Sequence, residues 1–244
     1  KIDKHTDDEV PSIDIIPFDN KGKEEDVFYA YGISVDLISD VSSAGLIRVA
    51  SKKQIDDAGD IHQDELAKKL DVRYMVNGEL WRMGDMFQLS VELYDTKAKK
   101  IVWSDRWQEQ WDKLSDIKGN LSNGLLKALD MKPTLEKKLD TVNPAAYEFY
   151  LKAKYKYEKR ENTNDTDIAR GLFQKAIELD DNIFAAKNQL GMTYAQMSDY
   201  EKAVNIFIPA LKQAEKLNHH LWIGNNLKEM GIVYHMKGDF DKAL

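Results

Sequence analysis

Apolar residues recur with more than one period along this chain, and each change of period marks a new element. Ser12-Ile13-Asp14-Ile15-Ile16-Pro17-Phe18 is a short apolar run closed by the turn-like Asp19-Asn20-Lys21-Gly22, which predicts a strand ending near Phe18. Phe28, Tyr31, Val35, Ile38 and Val41 follow at spacings of three and four, the buried stripe of an amphipathic helix. Leu46 to Ala50 reads as a second strand. Ile61, Leu66 and Leu70 then mark a short helix with Asp64 and Glu65 in its first turn, where acidic side chains oppose the helix dipole. Val72 to Met83 predicts a third strand. In the next, Phe87, Leu89, Val91 and Leu93 alternate with Gln88, Ser90 and Glu92, so one face is buried and the other polar. Gly84-Asp85 between these two strands is a two-residue turn of the kind that favours a hairpin. Asp95 to Lys100 leads as a looser turn into Ile101 to Trp107, and Leu114, Ile117, Leu121, Leu125 and Ala128 form the seam of a closing helix. The expected order is β-α-β-α-β-β-β-α: an α/β (or α+β) domain over 12–130, after a polar leader at 1–11. Pro133 and Pro144 flank a charged segment, so 131–143 reads as a linker.

The last third carries a different signal. Leu190-Gly191, Tyr194 and Ala203 return as Met230-Gly231, Tyr234 and Ala243, each shifted by 40 residues, while Ala169, Phe173 and Ala176 precede Ala203, Phe207 and Ala210 by 34. Spacings of three and four keep each group on one helix face; small residues let helices approach and large rings fill the space between successive pairs. This pattern resembles the tetratricopeptide repeat (TPR), a helix-turn-helix unit of 34 residues. The resemblance implies an all-α helical-repeat solenoid over 144–244, about two and a half units. In the first unit the polar stretch Glu161 to Thr166 is expected to lengthen the turn between helices. The outgoing segment Leu211 to Asn225 of the second is six residues longer than the 34-residue period needs, adding about 9 Å if helical. The third unit stops just after Ala243, which suggests that the chain is part of a longer protein.

A second resemblance covers the front of the chain. Residues 12–20 (Ser-Ile-Asp-Ile-Ile-Pro-Phe-Asp-Asn), Ala30 to Ile38, Val72 to Arg82 and Trp103-Ser104-Asp105-Arg106-Trp107 resemble the TolB-amino-terminal-like domain of bacterial multidomain signalling proteins. Asp14 and Asn77 depart from it, standing where that family is usually apolar or small. In such proteins a segment like Asn143 to Leu151 follows and leads into TPR units. The resemblance implies a sensory or scaffolding module beside an adenylate cyclase, Ser/Thr kinase or winged-helix output domain. The alternative it leaves open is a periplasmic envelope assembly scaffold.

Composition narrows the function classes. The chain of 244 residues is 43% hydrophobic and 32% charged, ordinary for globular protein, and no run approaches the 18 apolar residues of a membrane span. Membrane insertion by these residues is therefore not expected, and a tether would lie in an upstream segment. All of the net charge of -7 falls before residue 144 and the remainder is balanced. Neither part carries the basic stripe that phosphate neutralisation needs, so nucleic acid is not an expected partner. With no cysteine, disulfides and thiolate zinc sites are excluded; cytoplasm and periplasm both remain open.

Candidate chemistry is sparse. No Gly-rich phosphate loop, nucleophile elbow or metal-ligand spacing is present, so no catalytic residue, cofactor or metal is expected. His219-His220 is the one histidine cluster, and adjacent helical positions diverge by about 100 degrees, a poor chelate. Asp19 and Asn20 lie where the first strand should end, the usual place for a ligand in an open α/β sheet, or else they cap a turn with their own side chains. Trp81, Trp103, Trp107 and Trp111 read as packing residues or as an aromatic platform. In the repeats, the first helix of each unit should line the inner surface. Asn188, Gln189 and Met192, with Lys228, Ile232 and His235 one unit on, stand outside the packing signature. They form the candidate groove for a protein or peptide partner. Lacking a dense Lys/Arg set, the groove suits an internal segment or folded partner rather than a carboxyl terminus. Two other readings stay open: that the repeats serve only to pack, and that the chain is a homodimer. The expectation for these residues is a non-catalytic sensory or interaction region; a small-molecule-binding or enzymatic α/β domain is the remaining reading.

Overall fold

The computed structural model describes residues 11–43, 47–51, 54–55, 61–131 and 143–243. The leader over 1–10 and most of the expected linker fall outside the described residues. The chain divides into two compact units, Lys1–Thr141 and Val142–Leu244.

The first unit is mixed α/β. Its elements are β1 (Ser12–Ile15), β2 (Asp19–Asn20), a 3-10 turn (Glu24–Asp26), α1 (Val27–Ser43), β3 (Arg48–Val49), α2 (Gln63–Leu70), β4 (Tyr74–Met83), β5 (Met86–Asp95), β6 (Lys100–Gln110), a second 3-10 turn (Trp111–Lys113) and α3 (Leu114–Ala128). One sheet has the order β3-β1-β4-β5-β6, with β2 also on β4. The neighbours of β1 run parallel to it, while β4, β5 and β6 form an antiparallel meander with an irregularity between Leu93 and Tyr94.

The strand expected over 12–18 is split. Pro17 has no N–H to donate, so the ladder lapses after Ile16 N bonds Val76 O and resumes where Asp19 and Asn20 pair with Glu79 and Leu80. Close approach here depends on Gly78, where a Cβ would lie 2.6 Å from the Phe18 ring. At the β4–β5 turn Gly84 takes φ 63, the left-handed conformation a two-residue hairpin needs.

Ile13, Ile15, Tyr74, Val76, Leu80, Phe87, Leu89, Val91 and Leu93 are buried on one sheet face. There α1 and α3 lie against each other, α1 on the parallel strands and α3 on β6, with Gly124 of α3 in contact with the Trp103 ring. The other face is covered at its β3–β1–β4 end, where Leu66, Ala67 and Leu70 of α2 join Ala50, Ile55, Val72 and Met75 in a second apolar cluster. Burying one Leu of this kind contributes about 2 kcal/mol, which holds a two-turn helix that would not persist alone.

The second unit is helical: α4 (Pro144–Glu158), α5 (Thr163–Leu179), α6 (Phe184–Gln196), α7 (Tyr200–Lys216), α8 (His220–Lys237) and the short α9 (Phe240–Ala243). Successive helices pack on each other, and α6 also contacts α8. Caps set the starts. Asn143 accepts from the Ala145 and Ala146 N–H groups with Pro144 at the first helical position, Asn162 accepts from Asp165 N, and Asp199 accepts from Lys202 N.

One expectation is corrected here. The polar stretch Glu161 to Thr166 is not a lengthened turn: Asn162 caps α5 at its head, and 163–166 are helical, with Asp165 bonded to Glu161 N and paired with Lys156. The long segment Leu211 to Asn225 is divided between two helices. It breaks at Leu217 to His219, where Asn218 has φ 52, and gives its first part to α7 and its last to α8.

Candidate interaction surface

The repeat signature builds a rigid seam. Gly191 of α6 has no side chain because Phe207 of α7 stands in its place; a Cβ there would be 2.5 Å from the ring tip. Phe207, Ala195, Ala203 and Val233 form a buried cluster against which Met192, Tyr194, Tyr200, Val204 and Met230 pack. This cluster draws on α6, α7 and α8 together, and thereby fixes how α6 and α8 present their remaining side chains.

Of the six residues expected to line a groove, five stand outside this seam. Asn188 and Gln189 are half-buried on α6, and Lys228 is exposed on α8 with its Nζ 3.0 Å from the Glu229 carboxylate. Ile232 is 38% exposed, and the exposed His235 sets its ring edge against Phe240 at 5.5 Å. Met192, the sixth, packs on the buried cluster and serves as part of the wall. Asn188 and Lys228 hold equivalent places one repeat apart, as do Met192 and Ile232. The surface offers one cation already beside a carboxylate, amides and an aliphatic side chain, a chemistry suited to mixed polar and apolar contacts.

A second concavity went unrecognised in the sequence. It has a volume of about 380 Å³ and is lined by Asp167, Arg170, Gly171 and Gln174 of α5, Leu190 and Tyr194 of α6, and Lys202 of α7. The Arg170 guanidinium lies 4.2 Å from the Tyr194 ring centre and donates to Thr193 Oγ1 and the Thr193 carbonyl, with Asp167 at 3.1 Å. Lys202 Nζ is 5.4 Å from the same ring and 2.7 Å from Asp199, whose bond raises the lysine above its ordinary value. Each cation already has its carboxylate, so the cleft is electrically balanced and Arg170 acts as a clamp holding α5 to α6. Only the i, i+3 spacing of Asp167 and Arg170 could have pointed to it; the partner, Thr193, is remote in sequence.

The α/β loop candidate resolves into local bonding. Asn20 Oδ1 accepts from Gly22 N at 3.1 Å and its Nδ2 donates to Lys23 O, while Asp19 pairs with Lys21, which also reaches Glu79 at 3.2 Å. This is the geometry of an Asx turn closing the chain after β2. His219 sets its ring edge against Phe184, and His220 opens α8 exposed to solvent. Trp81 is 48% exposed; Trp103 and Trp107 lie near each other, and Trp111 meets Tyr29 and Phe87 edge-on beneath Arg82. Among the described residues no group of three His, Asp or Glu could hold a metal ion, and no helix is long and apolar enough to cross a membrane.

The tetratricopeptide repeat family model matches residues 182–244, the span of α6 to α9. Such repeats are non-catalytic modules that generally bind protein partners. No curated protein matches the chain. Among solved structures, TolB from Acinetobacter baumannii aligns with a TM-score of 0.39 and 19% identity over 50% of this chain; the chain spans 29% of the length of that protein. The PelC dodecamer from Paraburkholderia phytofirmans aligns with a TM-score of 0.36 and 18% identity, over 50% of this chain and 89% of that one. Lipoprotein GNA1162 from Neisseria meningitidis gives 0.37 and 13%, over 49% and 96%.

Proposed function

We propose that this chain is a non-catalytic protein-interaction region whose helical repeats, stacked as a solenoid, take a protein or peptide partner on the α6/α8 surface. The observation that carries this reading is the division of labour on these helices. Gly191, Phe207, Ala195, Ala203 and Val233 fix the backbone, while Asn188, Gln189, Lys228, Ile232 and His235 stand outside that cluster, the first two half-buried and the last three exposed. Side chains held on a rigid scaffold but not used by it are available for recognition at low entropic cost. Their mixed chemistry favours an internal segment or folded partner. The likeness of the first unit's strand sequences to TolB-amino-terminal-like domains supports placing the region in a bacterial signalling protein, where it would pass a binding event to an output domain.

A photo-crosslinking residue at position 188 or 232, compared with one at position 81 on the first unit, tests this in cells. Partner adducts at 188 and 232 that disappear with Lys228→Glu are expected. Equal adduct yield with and without Lys228→Glu would refute the assignment of the surface.

A further inference from the structure

Asp14 is 0% exposed, and neither oxygen of its carboxylate accepts a hydrogen bond among the described residues. Its position in the ladder explains why. Asp14 is opposite Met75 of β4 and one step on from the Ile13–Val49 pair, so it sits between Met75 and Ala50. Both belong to the apolar cluster beneath α2, with Ile16 of the same strand packed against it and Leu66, Ala67 and Leu70 closing it from above. A carboxylate in an apolar layer without partners is a costly arrangement, and proteins ordinarily relieve it by keeping the proton.

Among the described residues, the charged groups on the surrounding elements are paired elsewhere or lie on the exposed side. On β3, Arg48 donates to the Leu70 carbonyl and lies 3.4 Å from Asp71. Arg73, leading into β4, is bonded to Asp95 at 2.9 Å. On α2, Asp64 pairs with Lys99, while Glu65, Lys68 and Lys69 are on the exposed side. His62 accepts from Asp64 N as the helix cap. Asp36 belongs to α1, against the opposite face of the sheet.

We propose that Asp14 makes the seating of α2 on the sheet proton-dependent: protonated, the carboxyl lets the layer close; ionised, it loosens that layer while the α1/α3 side stays packed. Burial pushes the Asp14 carboxyl up from 3.8 to about 6. The folded value is raised, so the unfavourable contribution is absent below about 4, grows as pH rises from about 4 to about 6, and is complete above that. A separation of about two pH units between closed and opened forms corresponds to a roughly 100-fold change in the opening equilibrium between pH 4 and pH 8.

Native-state hydrogen exchange of the whole chain, with opening constants taken after correction for intrinsic exchange, tests the proposal between pH 4.5 and 8. In the wild type, α2 amides should open roughly 25-fold more readily at the upper end, since part of the change is already complete at pH 4.5, and Asp14→Asn should remove that slope while leaving α3 amides unchanged. The same slope in Asp14→Asn as in the wild type would overturn it. Carboxyl-carbon NMR titration of Asp14 in the wild type needs no variant to fold: a midpoint near 6 supports the proposal, and one near 4 overturns it.

Discussion

The contact between Gly191 and Phe207 gives the sharpest test of how the helical unit is held. A methyl group at position 191 would lie 2.5, 2.7 and 2.9 Å from three atoms of the Phe207 ring, where carbon atoms normally stay about 3.5–4.0 Å apart. Phe207 is fully buried among Ala195, Ala203 and Val233, so its ring cannot withdraw without displacing α7. Overpacking of this kind costs about 1–3 kcal/mol, and the lack of slack places this site at about 2–3. Against that, Ala is favoured over Gly in a helix interior by about 1 kcal/mol. The net expectation for Gly191→Ala is a loss of about 1–2 kcal/mol, raising local opening of α6 and α7 roughly 5- to 30-fold. Gly171 of α5 supplies the control, because a Cβ there meets nothing within 4 Å. Gly171→Ala should therefore stabilise its helix by roughly 0.5–1 kcal/mol. Hydrogen exchange of α5, α6 and α7 reads both. Adding Phe207→Leu to Gly191→Ala should recover part of the loss, a coupling of about 1 kcal/mol or more. If Gly191→Ala were as stable as Gly171→Ala, the small-against-large interlock would not be what spaces these helices.

Three further outcomes can be measured on the first unit. Gly78→Ala should lower the urea midpoint by the equivalent of roughly 1–3 kcal/mol, since the added Cβ falls 2.6–2.8 Å from the Phe18 ring; no change would mean that Phe18 moves freely. Burial alone would raise Asp95, but the Arg73 guanidinium and the N–H groups of Ala98 and Lys97 outweigh it and hold the carboxyl below its usual range. Its stabilising effect is thus present above about 4, the unfolded value, and lost as pH falls through the depressed folded value. Asp95→Asn should cost about 3 kcal/mol at pH 7 and flatten the acid side of a stability profile; an unchanged profile would contradict this. Trp81, 48% exposed, should tolerate Gln within about 0.5 kcal/mol, and a drop of several degrees in melting temperature would place it in the core instead.

What the sequence made legible is what short-range periodicity controls. The alternation from Phe87 to Leu93 predicts β5 because every second residue must meet the same buried layer, and the three-and-four spacing of Ala203, Phe207 and Ala210 predicts α7 for the same reason on a helix. Features made by distant partners were not legible. Asp19 and Asn20 carry turn chemistry, and only Glu79 and Leu80, about 60 residues on, draw them into a strand. Met192 is one residue from Gly191 and apolar, yet its packing rests on a cluster that draws Phe207 and Val233 from the helices that follow. Asn162 to Thr166 read as loop by composition because Asn, Asp and Thr favour both turns and helix starts; the Asn162 cap decides between the two. Asp14 is the instructive exception. Its place in an apolar strand was visible as a departure from a resembling family, but its consequence needed the fold: that both oxygens end beneath α2, between Ala50 and Met75, with Arg48 and Arg73 engaged elsewhere. Asn77, the companion departure on β4, is only half-buried, at the end of the sheet face that α2 leaves uncovered. Two polar substitutions that look alike in sequence thus differ in kind, one solvated and one enclosed, and only the enclosed one can couple protonation to packing.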